Sequence, residues 1–298
     1  MIFHLTSELE WIKAKAAGEY TAESLKSEGF IHLSSYGQIL QVANLFYKSV
    51  ENPVLLALEN MNLDSSLKWE GENGLEFPHL YRPIKTSEVV DVISLTKNEK
   101  GEFVSNDKLD EAAFAKILVT ERLVLREFQL TDLPMVHQYA SDEDLVKFMP
   151  WGPNTDKQTR EFFTRNFKLQ SENPRKIFDF AVLDKNTGDF LGSGGVILRA
   201  PHSEFANIGY ILKRSAHGKG YATELSKALL KFGFENLKLH RIAATCDSEN
   251  TASYRVMEKI GMSREGLMRE DLRMKGRVRS TLVYSVLASE YFSKNNSN

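Results

Sequence analysis

Apolar and polar positions fall into two blocks of alternation separated by a polar stretch. Strand-like apolar residues end at 89–95, TKNEKGEFVSNDKLDEAAFAK follows, and a new alternating segment begins at Ile117. Residues 96–116 read as a connection, with a short helix at 110–116. The chain is therefore expected to hold a first domain at 1–104, a linker at 105–116 and a second domain at 117–298. A length of 298 residues suits two domains, each able to bury its own core.

The second block opens with ILVTERLVLREF, where Leu123, Leu125 and Glu127 alternate against Val124, Arg126 and Phe128 as in a strand. Thr131 or Asp132 caps a helix with Pro134 in its first turn, and a further helix is expected near 155–170. IFDFAVLD and DFLGSGGVIL flank KNTG, whose Asn186 and Gly188 suit a tight hairpin turn. ANIGYIL reads as a strand, GKGYATELSKALLKFGFENL as a long helix, RIAATCD as a strand, NTASYRVMEKIG as a helix and TLVYSVLA as a closing strand. Strands mixed with helices in this order give a mixed α/β (α+β) class with one central sheet.

Composition changes this picture little. The chain is 42% hydrophobic and 26% charged with formal net charge −2, and it has no apolar run long enough to cross a bilayer. MIFHLTSELEWIK lacks the basic start, apolar stretch and small-residue cleavage site of a secretory leader. A single cysteine, Cys246, forms no internal disulfide, and without Cys clusters no structural metal site is expected. A cytoplasmic protein that binds neither membrane nor nucleic acid directly is the expectation. Charge is uneven, at −6 over residues 1–104 and +4 over the remainder, so the second block is better suited to an anionic ligand.

Candidate chemistry is densest where ANIGYIL runs into KRSAHGKGYATEL. A strand ends, His217-Gly218-Lys219-Gly220 supplies a turn, and Tyr221, Leu225, Ala228, Leu229 and Phe232 mark one face of a helix. A helix start of this kind points unsatisfied amides and the positive end of the helix dipole at one spot, which favours phosphate. Lys213, Arg214, His217 and Lys219 add positive potential. The turn matches neither the eight-residue nucleotide loop nor the three-glycine dinucleotide fingerprint, so an ordinary strand-to-helix turn remains the competing reading.

TERLVLR, IGYIL, HGKGYATE and ENTASYRVMEKIGM, in that order, resemble the GNAT N-acetyltransferase superfamily, in the branch that includes ribosomal-protein-alanine N-acetyltransferases. The resemblance covers nearly all of residues 117–292 and implies an acyl-CoA N-acyltransferase fold with acetyl-CoA as co-substrate. It implies that backbone at Ile211, Leu212 and Lys213 aligns the pantetheine arm and that His217, Gly218, Lys219, Gly220, Tyr221 and Ala222 cradle the pyrophosphate. It further implies that Asn250 hydrogen-bonds the pantetheine and that Ser253 steadies the leaving thiolate, with Tyr254 as the rival proton donor. The plainer reading makes Asn250 a helix cap and Ser253 a small packing residue.

Departures from the family pattern bear on catalysis. Ser215 stands where Arg or Gln often contacts phosphate, and Thr245 and Met257 occupy the positions of the family's glutamate base and tyrosine acid. Glu204 is the candidate for a water-mediated base, and His240 reads as structural. The implied reaction is transfer of acetyl to a primary amine by direct attack in a ternary complex. The acceptor is a protein N-terminus, such as that of a ribosomal protein, or a small molecule. An acyl-CoA sensor without turnover is the alternative that the missing base and acid suggest.

In the first block, IFHL, GFIHLS and EFPHLY place His4, His32 and His79 in apolar runs, with His32 and Ser34 expected on one strand face. These four residues form a candidate site, although satisfied core or edge histidines would give the same pattern. Residues 1–104 resemble the family designated domain of unknown function 952. Its similarity to ADP-ribosyltransferases implies a cleft for NAD and an NAD-dependent ADP-ribosyl-type activity.

Overall fold

The computed structural model describes residues 1–113 and 115–295. In chain order the first elements are β1 (Ile2–Ser7), α1 (Glu8–Ala17), β2 (Ile31–His32), β3 (Ser34–Ser35) and α2 (Tyr36–Phe46). There follow β4 (Pro53–Leu58), β5 (Leu67–Glu72), β6 (Leu75–Leu80) and β7 (Val89–Ser94). Beyond them lie β8 (Leu123–Glu127), α3 (Leu133–Ala140), α4 (Asp156–Gln170), β9 (Ile177–Asp184), β10 (Phe190–Leu198) and β11 (Phe205–Leu212). The last are α5 (Tyr221–Lys231), β12 (Arg241–Asp247), α6 (Thr251–Lys259), β13 (Ser263–Met274) and β14 (Arg277–Leu287), before a C-terminal helix Ala288–Asn295.

The chain forms two units, one of residues 1–116, 128–133 and 156–175, the other of 117–127, 134–155 and 176–298. In the first, β3-β1-β4-β7 form an antiparallel sheet and β2-β6-β5 a second. Both faces of the larger sheet are covered, which is why β4 is apolar throughout and β1 is buried except at Ser7. Ile2 and Leu56 pack with Trp11 of α1 on one face; Phe3, Leu5, Leu55 and Ala57 pack with Tyr36, Ile39 and Ala43 of α2 on the other.

The stretch expected as a linker is part of this unit. A helix at Asp107–Ala112 buries Leu109 against the α2 face, and Tyr36 donates a 2.7 Å hydrogen bond to Asp110. The expected helix at 110–116 therefore begins three residues earlier, at Asp107, after the cap Asn106, whose side chain accepts from the Leu109 amide. Helix α4 also belongs here, although its position in the chain suggested the second domain. Phe163 and Phe167 are buried, Thr164 bonds the Gly74 carbonyl and the Glu76 amide, and Lys168 pairs with Glu76 at 2.6 Å. A Cβ on Gly37 would lie 2.3 Å from the Phe167 ring, so only glycine admits this packing.

The second unit is an eight-stranded sheet in the order Leu118–Val119, β8, β9, β10, β11, β12, β14, β13. All pairs are antiparallel except β11 with β12. Its core joins α5 and α6 to one sheet face through Leu225, Leu229, Leu230, Met257, Ile242, Ala244, Leu282 and Tyr284. The KNTG hairpin forms as expected, with Gly188 at φ 74°. Strand β13 was not foreseen, because SREGLMREDLRM lacks alternation; its pairing with β14 is irregular at two places. Among the described residues no helix is long and apolar enough to cross a membrane.

Candidate functional site

Strands β11 and β12 are paired only at Phe205, Ala206 and Asn207 with Arg241, Ile242 and Ala243. Beyond these they part, while β11 continues along β10 to Leu212 and β12 along β14 to Asp247. A parallel pair that separates at its C-terminal ends leaves polar backbone facing a gap, and such groups require a partner. Lys213 donates its N–H to the Leu191 carbonyl on the β10 side. By strand alternation Ile211 also points that way, and Tyr210 and Leu212 face the gap. Of the three residues expected to align a ligand here, only Leu212 therefore turns backbone to the gap, and Tyr210 joins it.

The turn after β11 is held from several sides. His217 Nε2 lies 2.8 Å from the Leu212 carbonyl oxygen, so the imidazole ties the loop back to its strand instead of standing free. Gly218 and Gly220 have φ of 72° and 82°, in the left-handed region that side chains disfavour. Gly220 is the N-cap of α5, and no side chain caps that helix. Arg122 donates to the Lys219 carbonyl at 3.0 Å and to Glu224 at 2.7 Å, and its guanidinium lies 4.7 Å from the Tyr221 ring centroid. Tyr221 in turn donates to Asp184 at 2.8 Å, and Ala222 packs against the core. The turn, its uncapped helix start and the adjoining guanidinium form a rigid cradle whose polarity suits an anion.

Across the gap, Asn250 caps α6, its side chain accepting from the Ser253 amide at 3.2 Å. Burial pushes the Tyr210 phenol up to about 12; the nearby Ser253 hydroxyl opposes that rise and Cys246 adds to it. The Cys246 thiol is itself pushed up to about 11, chiefly by burial. Tyr254 packs against the core and Met257 is buried in it, whereas Thr245 is exposed. Tyr210 was legible only as one of the apolar residues of IGYIL; the separation of the two strands is what turns it toward Ser253.

Glu204 does not belong to this constellation. Its carbonyl accepts from the His240 and Arg241 amides at the closed end of the parallel pair. Six residues of strand, about 20 Å, separate it from Tyr210. His240 sits at the same closed end, its ring 6.0 Å from that of Phe205, in keeping with a structural place. Arg214, expected to add free positive charge, is engaged by Asp142 and Asp144, at 2.9 Å to each. Lys275 donates to the carbonyls of Val146 and Trp151, and Arg277 lies 5.5 Å from the Phe148 ring. The 141–154 segment is thus fastened both to the turn after β11 and to the β13–β14 hairpin.

In the first unit, His32 and His79 pair directly across β2 and β6, with rings 5.2 Å apart. Phe30 stacks on His79 at 4.1 Å, and His79 Nδ1 is 3.4 Å from a Glu70 carboxylate oxygen that receives the Tyr81 hydroxyl. Burial, with a smaller contribution from His32, lowers the His79 pKa despite Glu70. His4 is fully enclosed, its Nδ1 2.8 Å from the His32 carbonyl oxygen, and burial lowers its pKa to about 4. Ser34 does not share a face with His32. The chain passes from one sheet to the other at Leu33, so Ser34 is buried opposite Phe3 while His32 is exposed. Among the described residues no group of His, Cys, Asp and Glu has the geometry to hold a metal ion.

Residues 122–263 match the family described as acetyltransferase (GNAT) domain, and residues 5–92 match a family described as protein of unknown function DUF952. The chain is similar to the uncharacterized N-acetyltransferase YnaD of Bacillus subtilis, 33% identical over 175 residues, covering 58% of this chain and 98% of YnaD. An acetyltransferase (GNAT family) crystal structure from Bacillus anthracis is 36% identical with a TM-score of 0.53, covering 59% of this chain and all of that one. Spermidine N-acetyltransferase from Vibrio cholerae, solved with CoA and spermine, shares the fold at 22% identity and a TM-score of 0.51, covering 58% and 99% of the two chains. The expectation of NAD for the first unit gains no support from its family match, whose function is unknown.

Proposed function

The chain belongs to the GNAT acetyltransferase family and is an acetyl-CoA-dependent acyltransferase, and from that premise we propose that its second unit acetylates a primary amine by direct attack in a ternary complex. The observation that carries this reading is the gap between β11 and β12 beside the uncapped start of α5. The residues present suit the donor: the amides after Gly218 and Gly220 meet the pyrophosphate, Arg122 adds a nearby cation, and backbone of Tyr210 and Leu212 meets the pantetheine arm. Acetyl-CoA, when bound, supplies an electrophilic thioester. Orientation in the gap supplies much of the rate, since a bound amine beside a thioester needs chiefly alignment and a path for its proton.

In this reading Ser253, with Tyr210 beside it, stabilises charge on the departing sulfur. Ser253→Ala is expected to lower kcat about tenfold with little change in acetyl-CoA affinity, because the contact forms as thiolate charge develops. Tyr210→Phe is expected to give a smaller loss, since Ser253 would keep its own hydroxyl. Steady-state kinetics with Tyr254→Phe as control decides the assignment; loss confined to Tyr254→Phe would move the acid there.

The reading as a whole is tested by melting and turnover. Acetyl-CoA at about 100 times its dissociation constant contributes roughly 2.7 kcal/mol to a state that alone binds it, a readily visible shift in Tm. Release of free thiol, measured with peptide amines and small amines, then separates a transferase from a non-catalytic sensor. No shift with saturating acetyl-CoA would defeat the proposal.

A further inference from the structure

The first turn of α5 carries an acid that by its charge alone would work against an anion. Glu224 lies one turn after the cap Gly220, in the helix end whose positive potential is proposed to hold the pyrophosphate. Burial raises its pKa, but the bonds from Thr120 and Arg122 outweigh that and hold the carboxyl below its ordinary value, so it is ionised at neutral pH. A negative charge here suits the helix dipole yet lowers the potential offered to a phosphate.

The carboxylate is committed to a different segment of the chain. One oxygen accepts from the Thr120 hydroxyl at 2.6 Å and from the Arg122 amide at 2.8 Å; the other accepts from Arg122 Nε at 2.7 Å, with Nη2 also 2.7 Å away. Nη1 of the same guanidinium donates to the Lys219 carbonyl at 3.0 Å. Among the described residues these contacts engage three of the five guanidinium N–H groups and leave one on each terminal nitrogen for a ligand. The Arg122 side chain remains 39% exposed, and Nη2 is 3.4 Å from where a Cβ on Gly220 would stand, which puts the guanidinium at the rim of the turn.

We propose that Glu224 is a positioning residue for the donor: it holds Arg122 at the rim of the turn, where the guanidinium meets the pyrophosphate. The inference rests on the acetyl-transfer reading above and adds to it a residue that itself touches neither substrate. Two effects of opposite sign meet at Glu224. Its own charge opposes the anion, and the fork that it holds favours it. The fork prevails, because an oriented guanidinium bonds the phosphate directly while the carboxylate stands a turn deeper and is already paired. Glutamine at this position separates the two effects. Its oxygen still accepts from Thr120 and the Arg122 amide, but its NH2 group is a donor facing Nε and releases the guanidinium.

Titration calorimetry and steady-state kinetics on the full chain decide which effect governs. Glu224→Gln is expected to weaken acetyl-CoA about tenfold, read as a higher Kd and KM with kcat within twofold of wild type. Charge alone predicts the reverse, tighter binding. In an Arg122→Gln background the same substitution should weaken the donor no further, since its effect passes through Arg122. Arg122→Lys keeps the charge but cannot span Glu224 and the Lys219 carbonyl, so it should lose about as much as Arg122→Gln, and it carries the test alone if Glu224→Gln does not fold. Unchanged or tighter binding in Glu224→Gln, an equal further loss in the Arg122→Gln background, or wild-type affinity in Arg122→Lys overturns the assignment. A wild-type chain that acetyl-CoA fails to bind instead removes the acetyl-transfer reading on which it depends.

Discussion

Gly220→Glu is expected to reduce acetyl-CoA affinity by more than a hundredfold while the second unit stays folded. The substitution places a carboxylate at the uncapped start of α5, where the proposed pyrophosphate site needs free amides and positive potential. Space alone does not forbid it, since a Cβ at Gly220 meets only Arg122 Nη2, at 3.4 Å. Backbone strain is the confounding effect, because φ at this residue is 82° and a non-glycine residue there costs about 1–2 kcal/mol. Gly220→Ala carries that strain without the charge and serves as the control. Isothermal titration with acetyl-CoA, paired with circular dichroism, reads both: if Gly220→Ala loses affinity as fully as Gly220→Glu, conformation and not anion repulsion governs the loop.

Acid should weaken the first unit through His4. Its folded pKa of about 4 lies below the ordinary 6.5, because burial disfavours the cation more than the His32 carbonyl favours it, and the His32 ring lowers it further. Protonation therefore favours the unfolded chain. The associated stability is fully present above about pH 6.5, declines as the pH falls, and is gone near pH 4, a total of roughly 3 kcal/mol. His4→Asn keeps a donor toward the His32 carbonyl and removes the titration. Urea unfolding of the full chain, followed by fluorescence of Trp11 and Trp69, should show wild type losing about 2 kcal/mol more than His4→Asn between pH 7 and pH 5. Parallel pH profiles for the two proteins would show that His4 is not the group responsible.

Much of the second unit was legible because its segments obey strong local rules. Val182 and Leu191 alternate on flanking strands around a KNTG turn, Gly220 opens α5, and Asn250 opens α6, so period and capping chemistry locate these elements. Strand β13 escaped because an edge strand exposed on both faces need not alternate, and Leu267, Met268 and Leu272 remain exposed on it. The polar stretch before Ile117 misled for the opposite reason: Phe103, Leu109 and Ala113 within it enter a core.

The site divides in the same way. Glycines at 218 and 220, the helix start and Ser253 could be placed from sequence, since turn geometry and helical spacing act within a few residues. Tyr210 facing Ser253, the removal of Glu204 to the closed end of a strand pair, and Arg122 at the turn after β11 depend on which strands lie side by side and where β11 and β12 part. Sequence by itself determined that this protein has a mixed α/β unit with a glycine turn opening a helix, because local backbone preference and hydrophobic period suffice for that. Only the tertiary structure decided which polar groups meet across the gap, because strand order and register join residues dozens of positions apart and no local pattern encodes them.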